Sequence, residues 1–131
     1  MNKRFIATLL IGGFFLSFAF ATSQPFSESE FKNAIAANDT FVVAFHSPSC
    51  GSCKVQKPNL ESVLNEDPLK DIKGFMADFD STADFRKTFN KPVRGPSTIL
   101  IFKSGKEVAR ILGETNKDKI KHIIEDAVSK N

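Results

Sequence analysis

Two cysteines, Cys50 and Cys53, bracket a Cys-Gly-Ser-Cys segment that follows the apolar run Phe41-Val42-Val43-Ala44-Phe45. They are the only cysteines in the 131-residue chain. A continuous apolar run of this kind reads as a strand buried on both faces. The pair therefore falls where a central strand hands over to a helix. A helix N-terminus carries unpaired N–H groups and the positive end of the helix dipole, and both stabilise a thiolate on the first cysteine. Two thiols so placed interconvert between dithiol and disulfide without rebuilding the fold, which is the equipment of thiol–disulfide exchange.

Other uses of the pair stay open at this point. A permanent structural bridge is one. In the chain-entropy model the stabilisation grows with the loop closed, and a four-residue ring gives only about 2 kcal/mol. Half of a metal site is another. Zinc usually takes four protein ligands, and the only other soft ligands are His46 and His122. Haem attachment needs His after the second Cys, where the chain has Lys54. The favoured reading is a redox-active Cys50–Cys53 disulfide, with no metal and no cofactor.

The first 21 residues read as a targeting segment. Lys3 and Arg4 make a positive start, Ile6 to Phe20 is almost wholly apolar, and Ala19-Phe20-Ala21 fits the small-x-small cleavage rule. Cleavage after Ala21 makes Thr22 the mature N-terminus. The alternative is an uncleaved anchor, but the apolar run is about 15 residues, short of the roughly 20 that span a bilayer. The domain division is then a signal peptide over 1–21 and one domain over 22–131. The style of the signal points to a bacterial envelope, hence a periplasmic or secreted protein in a compartment where disulfides persist. The mature form is expected to be a monomer that is not embedded in a membrane. Loss of Lys3 and Arg4 lowers the formal charge from +3 to +1, which leaves no bulk attraction for nucleic acid. Lys117, Lys119 and Lys121 read as a solvated helix face balanced by Glu125 and Asp126.

The pattern along the chain predicts a short flexible lead over 22–26 and a helix opened by the capping-box residues Ser27 and Glu30, running to about Ala37. Then come the strand at 41–45 and a helix from about Cys50 to Asn65, with Val55, Leu60, Val63 and Leu64 inward and a kink at Pro58. A strand follows over 73–79, then a helix capped by Ser81 that holds Phe85 and Phe89. Strands at 98–102 and 107–112 flank a Ser104-Gly105 turn. A last helix spans 117–129, with Ile120, Ile123, Ile124, Ala127 and Val128 on its apolar side. Nine of the fourteen Phe lie beyond residue 21 and should carry the core, which has neither Trp nor Tyr. Strands linked by a helix should run parallel through right-handed crossovers, and the last two form a hairpin. The expected class is α/β, a four-stranded mixed sheet flanked by helices on both faces.

In this order and spacing the chain resembles the thioredoxin superfamily over roughly residues 27–129. The resemblance rests on the strand ending in Phe45, Cys50-Gly51-Ser52-Cys53-Lys54, Pro58, Val93-Arg94-Gly95 leading into Pro96-Ser97-Thr98-Ile99-Leu100-Ile101-Phe102, then Lys103-Ser104-Gly105 and Gly113. It implies a thioredoxin-like fold and a thiol–disulfide oxidoreductase; the targeting segment makes that enzyme exported, and Ser52, a weaker thiolate stabiliser than the His that strong oxidants of the family carry, makes it reductase or isomerase-like. The resemblance also implies that Cys50 attacks protein disulfides, that Cys53 resolves the mixed disulfide, and that Gly51, Ser52, Pro96 and Ser97 contact the substrate. A membrane protein would donate or accept the electrons.

Four positions depart from the family pattern. Ser49 stands where Trp usually precedes the first Cys, and Gly51-Ser52 replaces Gly-Pro. Ala44 stands where the family buries an acid that helps proton transfer at the resolving cysteine, with His46 a candidate replacement. The family also places a cis-proline immediately before the Thr that opens the third strand, where the gap-free match puts Ser97. Because cis bonds are cheap only at proline, a one-residue shift that lets Pro96 take this role is the favoured expectation. These departures weakly support a different class of function, a non-catalytic binding or chaperone module on the same scaffold. Two intact cysteines argue against it.

Overall fold

The computed structural model describes residues 23–130; the expected signal segment and its cleavage point lie outside them. The element order is β1 (Gln24–Pro25), α1 (Glu28–Ala36), β2 (Phe41–His46), α2 (Gly51–Leu64), β3 (Lys73–Asp78), α3 (Ala83–Arg86), β4 (Thr98–Lys103), β5 (Lys106–Leu112) and α4 (Lys117–Ser129). One sheet runs β1-β3-β2-β4-β5. β2 lies parallel to β3 and antiparallel to β4, and β4 and β5 form the expected hairpin. The Ser104-Gly105 turn holds φ of 52° and 74°, the pair of positive values that matches strand twist in a two-residue hairpin loop.

The sheet has five strands where the sequence pattern gives four. The extra strand is the expected lead: Gln24 and Pro25 pair in parallel with Phe75 and Met76, and the Phe26 N–H donates to the Met76 carbonyl at 2.8 Å. This covers the outer edge of β3, where a proline is tolerated. Two residues are too few to display an alternation, so no pattern marked them.

β2 is central and buried on both faces, and its alternation sorts two cores. Val42 and Ala44 join Ile99 and Ile101 of β4 beneath α2 and α4, where Leu60, Val63, Leu64, Ile120 and Ile124 close an aliphatic layer. Phe41, Val43 and Phe45 face the other way, with Leu100 and Phe102, beneath α1 and α3. All nine phenylalanines beyond residue 21 lie on this second face. Phe31 is the hub: its ring meets Phe41, Phe85, Phe89 and Phe102 edge-on at 5.1–5.8 Å between centroids, a geometry that ring quadrupoles favour.

The helix ends follow their caps. The Ser27 hydroxyl accepts from the Glu30 N–H, and the Asn116 side chain accepts from the Lys119 N–H at 3.0 Å. The third helix is shorter than expected, one turn, and Thr82 rather than Ser81 precedes it, with no side-chain cap. Asp78 explains this: its carboxylate accepts from the Ser81 N–H and its carbonyl from the Thr82 hydroxyl, so those residues serve the end of β3 instead. Val55 is 50 % exposed, and Gln56 takes its place inside. The basic run on α4 pairs with Glu125 through Lys121, as expected, and both Lys117 and Lys121 also pair with Glu66, just past the end of α2.

Gly105 and Gly113 both have positive φ, but a Cβ at Gly105 would stand 2.8 Å from the Ile35 carbonyl oxygen, whereas the space beside Gly113 is open. Gly113→Ala should cost about 1–2 kcal/mol from backbone strain alone. Gly105→Ala should cost roughly 1 kcal/mol more, because the added overlap is with backbone that cannot swing away. Urea unfolding midpoints of the two variants measured side by side test the ranking.

Candidate active site

β2 delivers the chain to a turn, residues 47–50, that is pinned before the helix begins. The Cys50 N–H donates to the Ser47 carbonyl at 3.1 Å, and the Ser47 hydroxyl donates to Asp80 at 2.8 Å. Cys50 then acts as the N-cap of α2: its backbone is extended (φ −91°, ψ 111°) and its sulfur accepts the Cys53 N–H at 3.2 Å. A sulfur in that position takes the place of the side-chain oxygen that usually caps a helix. Cys50 and Cys53 are joined as a disulfide, with Cα atoms 5.3 Å apart, well inside the range such bridges occupy. Cys50 is half-buried, Gly51 and Ser52 are exposed, and Cys53 is 3 % exposed.

The loop before β4 comes down onto this pair. Ser97 is 2 % exposed, and its hydroxyl lies 3.1 Å from the Cys50 sulfur, 3.2 Å from the Cys53 sulfur and 2.5 Å from the Ser52 hydroxyl. The expected one-residue shift does not occur. Among the described residues only Asp67–Pro68 is a cis bond, so the bond before Pro96 is trans. Ser97 itself fills the position ahead of Thr98, with φ of 60°. Its N–H donates to the Phe45 carbonyl at 2.9 Å, a bond no proline at that position could make. Pro96 lies to the side, lining a groove of about 560 Å³ with Arg94, Thr98, Arg110 and Leu112.

Gln56 is the residue the sequence reading missed. It is fully buried, one turn beyond Cys53, and its amide donates to the Ser97 and Glu114 carbonyls, both at 2.9 Å. It thereby clamps both loops that flank the cysteines to α2. The signal was present: Gln56 is seven residues before Val63 and three after Cys53, on the stripe that faces the sheet. A glutamine on an apolar stripe is buried only when its amide has partners.

His46, at the end of β2, borders a cleft of about 410 Å³ that also touches Cys53, Lys57, Pro58, Met76 and Asp78. Burial pushes its pKa below 6.5, since an apolar setting disfavours the charged ring. Gln56 beside the ring opposes that shift without reaching hydrogen-bond geometry: neither ring nitrogen nor the Gln56 Oε1 has a partner. His46 is thus close to the buried cysteine and bonded to neither sulfur. Ala44 is fully buried opposite Met76 and Ile99, and no carboxylate replaces it in the aliphatic layer. Among the described residues no group of three or more metal-ligating side chains forms, and His122 lies on α4, away from the cysteines.

The geometry is therefore a disulfide pair with a half-buried first cysteine, a buried second one and one hydroxyl near both sulfurs. Comparison with known proteins supplies the family. A family model for thioredoxin matches residues 22–126. Thioredoxin-1 of Saccharomyces cerevisiae is 36 % identical over 85 residues, which cover 65 % of this chain and 79 % of the yeast protein. Thioredoxin of Chlamydia trachomatis is 33 % identical over 101 residues, covering 77 % of this chain and 94 % of that one. Among solved structures, Trxlp from Edwardsiella tarda superposes with a TM-score of 0.72 at 25 % identity, covering 79 % of this chain and 98 % of its own. The chain belongs to the thioredoxin family and is a thiol–disulfide oxidoreductase.

Two expectations follow. Gln56→Leu keeps the volume and removes both donations, leaving the Glu114 carbonyl without that partner, so the fold should lose about 1–3 kcal/mol and the Gly113 amide should exchange its hydrogen faster. Because the folded state holds the His46 pKa below 6.5, the unfolded chain binds that proton more readily. The contribution is intact above the unfolded value and lost as pH falls towards the folded one. Urea midpoints should decline below about pH 6.5, the ordinary histidine value, and His46→Phe should flatten that decline.

Proposed function

We propose that this protein is an exported reductase- or isomerase-type oxidoreductase acting on protein disulfides, with Cys50 as the attacking thiol and Cys53 as the resolving one. The observation that carries the reading is the asymmetry of the pair: Cys50 caps α2 and is half-buried, while Cys53 is 3 % exposed. In the reduced protein the Cys53 N–H and the helix dipole favour the Cys50 thiolate. That thiolate attacks one sulfur of a client disulfide. A mixed disulfide forms and the other client sulfur leaves as thiolate. Cys53 then attacks the Cys50 sulfur, closes the Cys50–Cys53 disulfide and releases the second client thiol. Gly51 and Ser52 on the exposed first turn, with Pro96 at the neighbouring groove, would hold the client strand, and Ser97 would meet it at the sulfurs. The groove beside Pro96 offers it Leu112, 65 % exposed. His46, which borders the same cleft as Cys53, would take up a proton from that cleft after resolution.

A reductase or isomerase role is supported by what lies between the cysteines. Ser52 is an uncharged hydroxyl, so the thiolate lacks the cation that would make the disulfide strongly oxidising. The chain has no third cysteine, so a second protein must reset the pair. For a protein exported by the segment over 1–21, a membrane electron carrier fits that need. Its mature form would start at Thr22, and the measured mass of the protein recovered from the cell envelope tests that.

The decisive experiment is insulin reduction together with the redox potential of the pair against glutathione. We expect activity in the wild type, none in Cys50→Ser, and a potential near about −270 mV; a value near about −120 mV would mark an oxidant and overturn the direction proposed. Cys53→Ser should trap client proteins as mixed disulfides and Cys50→Ser should not. Equal capture by both variants would contradict the division of roles.

A further inference from the structure

We propose that the Ser97 hydroxyl is a catalytic residue of the exchange reaction, donating a hydrogen bond to the Cys50 thiolate and carrying the proton away from Cys53 when the mixed disulfide is resolved. The inference rests on the assignment of Cys50 as attacking and Cys53 as resolving. It starts from a distance pattern: one buried oxygen lies within 3.2 Å of both sulfurs and 2.5 Å from a second hydroxyl, that of Ser52. No other side chain among the described residues is hydrogen-bonded to both sulfurs.

The backbone shows that this placement is enforced. Ser97 sits at φ 60°, a region that non-glycine residues rarely occupy unless the surroundings over-determine it. Here they do. Its N–H donates to the Phe45 carbonyl, and its carbonyl accepts from both the Gln56 amide and the Gly113 N–H. A glycine would make all three bonds without strain. What serine adds is the hydroxyl, and that hydroxyl points at the sulfurs.

The chemistry needs such a group. Ala44 leaves no buried acid beside the pair, and the unpartnered nitrogens of His46 are bonded to neither sulfur. When Cys50 is a thiolate, the Ser52 O–H donates to the Ser97 oxygen, and the Ser97 O–H donates to the sulfur. Each donation polarises the next. With the Cys53 N–H this surrounds the anion with donors, as preorganised donors do at any site of developing charge. In resolution the Cys53–Cys50 sulfur bond forms and the Cys50–client sulfur bond breaks, its electron pair leaving on the client sulfur. The Cys53 proton passes to the Ser97 oxygen while the Ser97 proton passes to the client sulfur. The serine ends as it began, and no outside oxidant is consumed.

The charged groups on neighbouring elements are His46 on β2, Lys54, Lys57 and Glu61 on α2, Asp78 on β3 and Asp80 after it, bonded to Ser47, with Arg94 ahead of Ser97 and Glu114 after β5. All stay in place in the variants that test the proposal.

Ser97→Gly removes the hydroxyl and relieves the backbone, so its unfolding midpoint should match or exceed the wild type's. The ultraviolet absorbance of the Cys50 thiolate, followed against pH, should shift upward by about one unit, a tenfold loss of thiolate below the midpoint. Release of thionitrobenzoate from a preformed Cys50 adduct should slow by about tenfold at neutral pH, the yield expected of one general acid–base group being at least that. The rates should converge at high pH, where Cys53 needs no help to ionise. Ser52→Ala, on the exposed turn, should shift the same titration by a smaller amount. A folded Ser97→Gly protein with unchanged titration and release would overturn the proposal, and so would a Ser52→Ala protein with no shift. Alkylation of the reduced wild type that maps to Cys53 rather than Cys50 would instead overturn the underlying assignment of roles.

Discussion

One backbone hydrogen bond, from the Ser97 N–H to the Phe45 carbonyl at 2.9 Å, sets the active site. It extends the β2–β4 ladder one step past its last pair, Phe45 with Thr98. It therefore fixes the loop before β4 relative to the strand that delivers the cysteines. With the N–H committed there, the residue turns into the left-handed region, and its carbonyl meets Gln56 and Gly113. The side chain is then left facing α2 at its first turn. The cysteines owe their position to the same strand, because β2 is buried on both faces and cannot slip register without turning Ala44 and Phe45 onto the wrong cores.

Most of the scaffold could be read from the chain because its strands obey a strict division of labour. A continuous apolar run at 41–45 has one explanation in a protein of this size, a central strand covered on both sides. The helices announced themselves through Ser27, the apolar stripe of 117–129 and the cysteine pair itself. What could not be read is what depends on tertiary partners. Gln24 and Pro25 form a strand only because β3 presents an open edge. Ser81 looks like a helix cap until Asp78 claims its N–H.

The site shows the same limit more sharply. Cys50 and Cys53 were legible from spacing alone. Pro96 does not take the loop position, because a free N–H there, bonded to the Phe45 carbonyl, counts for more than a cheap cis bond. Once the Phe45 carbonyl is seen to need a donor, a serine at 97 is the consistent choice and Pro96 falls beside the groove. Gln56 has no apolar mark of its own in the sequence: Val55 beside it is the apolar residue, and the two carbonyls that receive the Gln56 amide belong to loops far away in sequence.

The two sides of the buried cysteine are built differently, and the contrast bears on which group handles its proton. On the Ser97 side the N–H, carbonyl and hydroxyl of the serine are all engaged. On the His46 side two ring nitrogens and the Gln56 Oε1 are buried without partners, a standing cost of the order of 1–3 kcal/mol for each such group. Histidine is intrinsically the stronger base, which would favour it. Geometry outweighs that ranking: the His46 ring, kept neutral by burial, holds no hydrogen bond to the sulfur. A proton moves first to the group already within hydrogen-bond reach, and only then does basicity discriminate. Ser97 satisfies the first condition for both sulfurs at once. His46 is better placed to receive a proton after resolution, from the cleft, than to take it directly from Cys53.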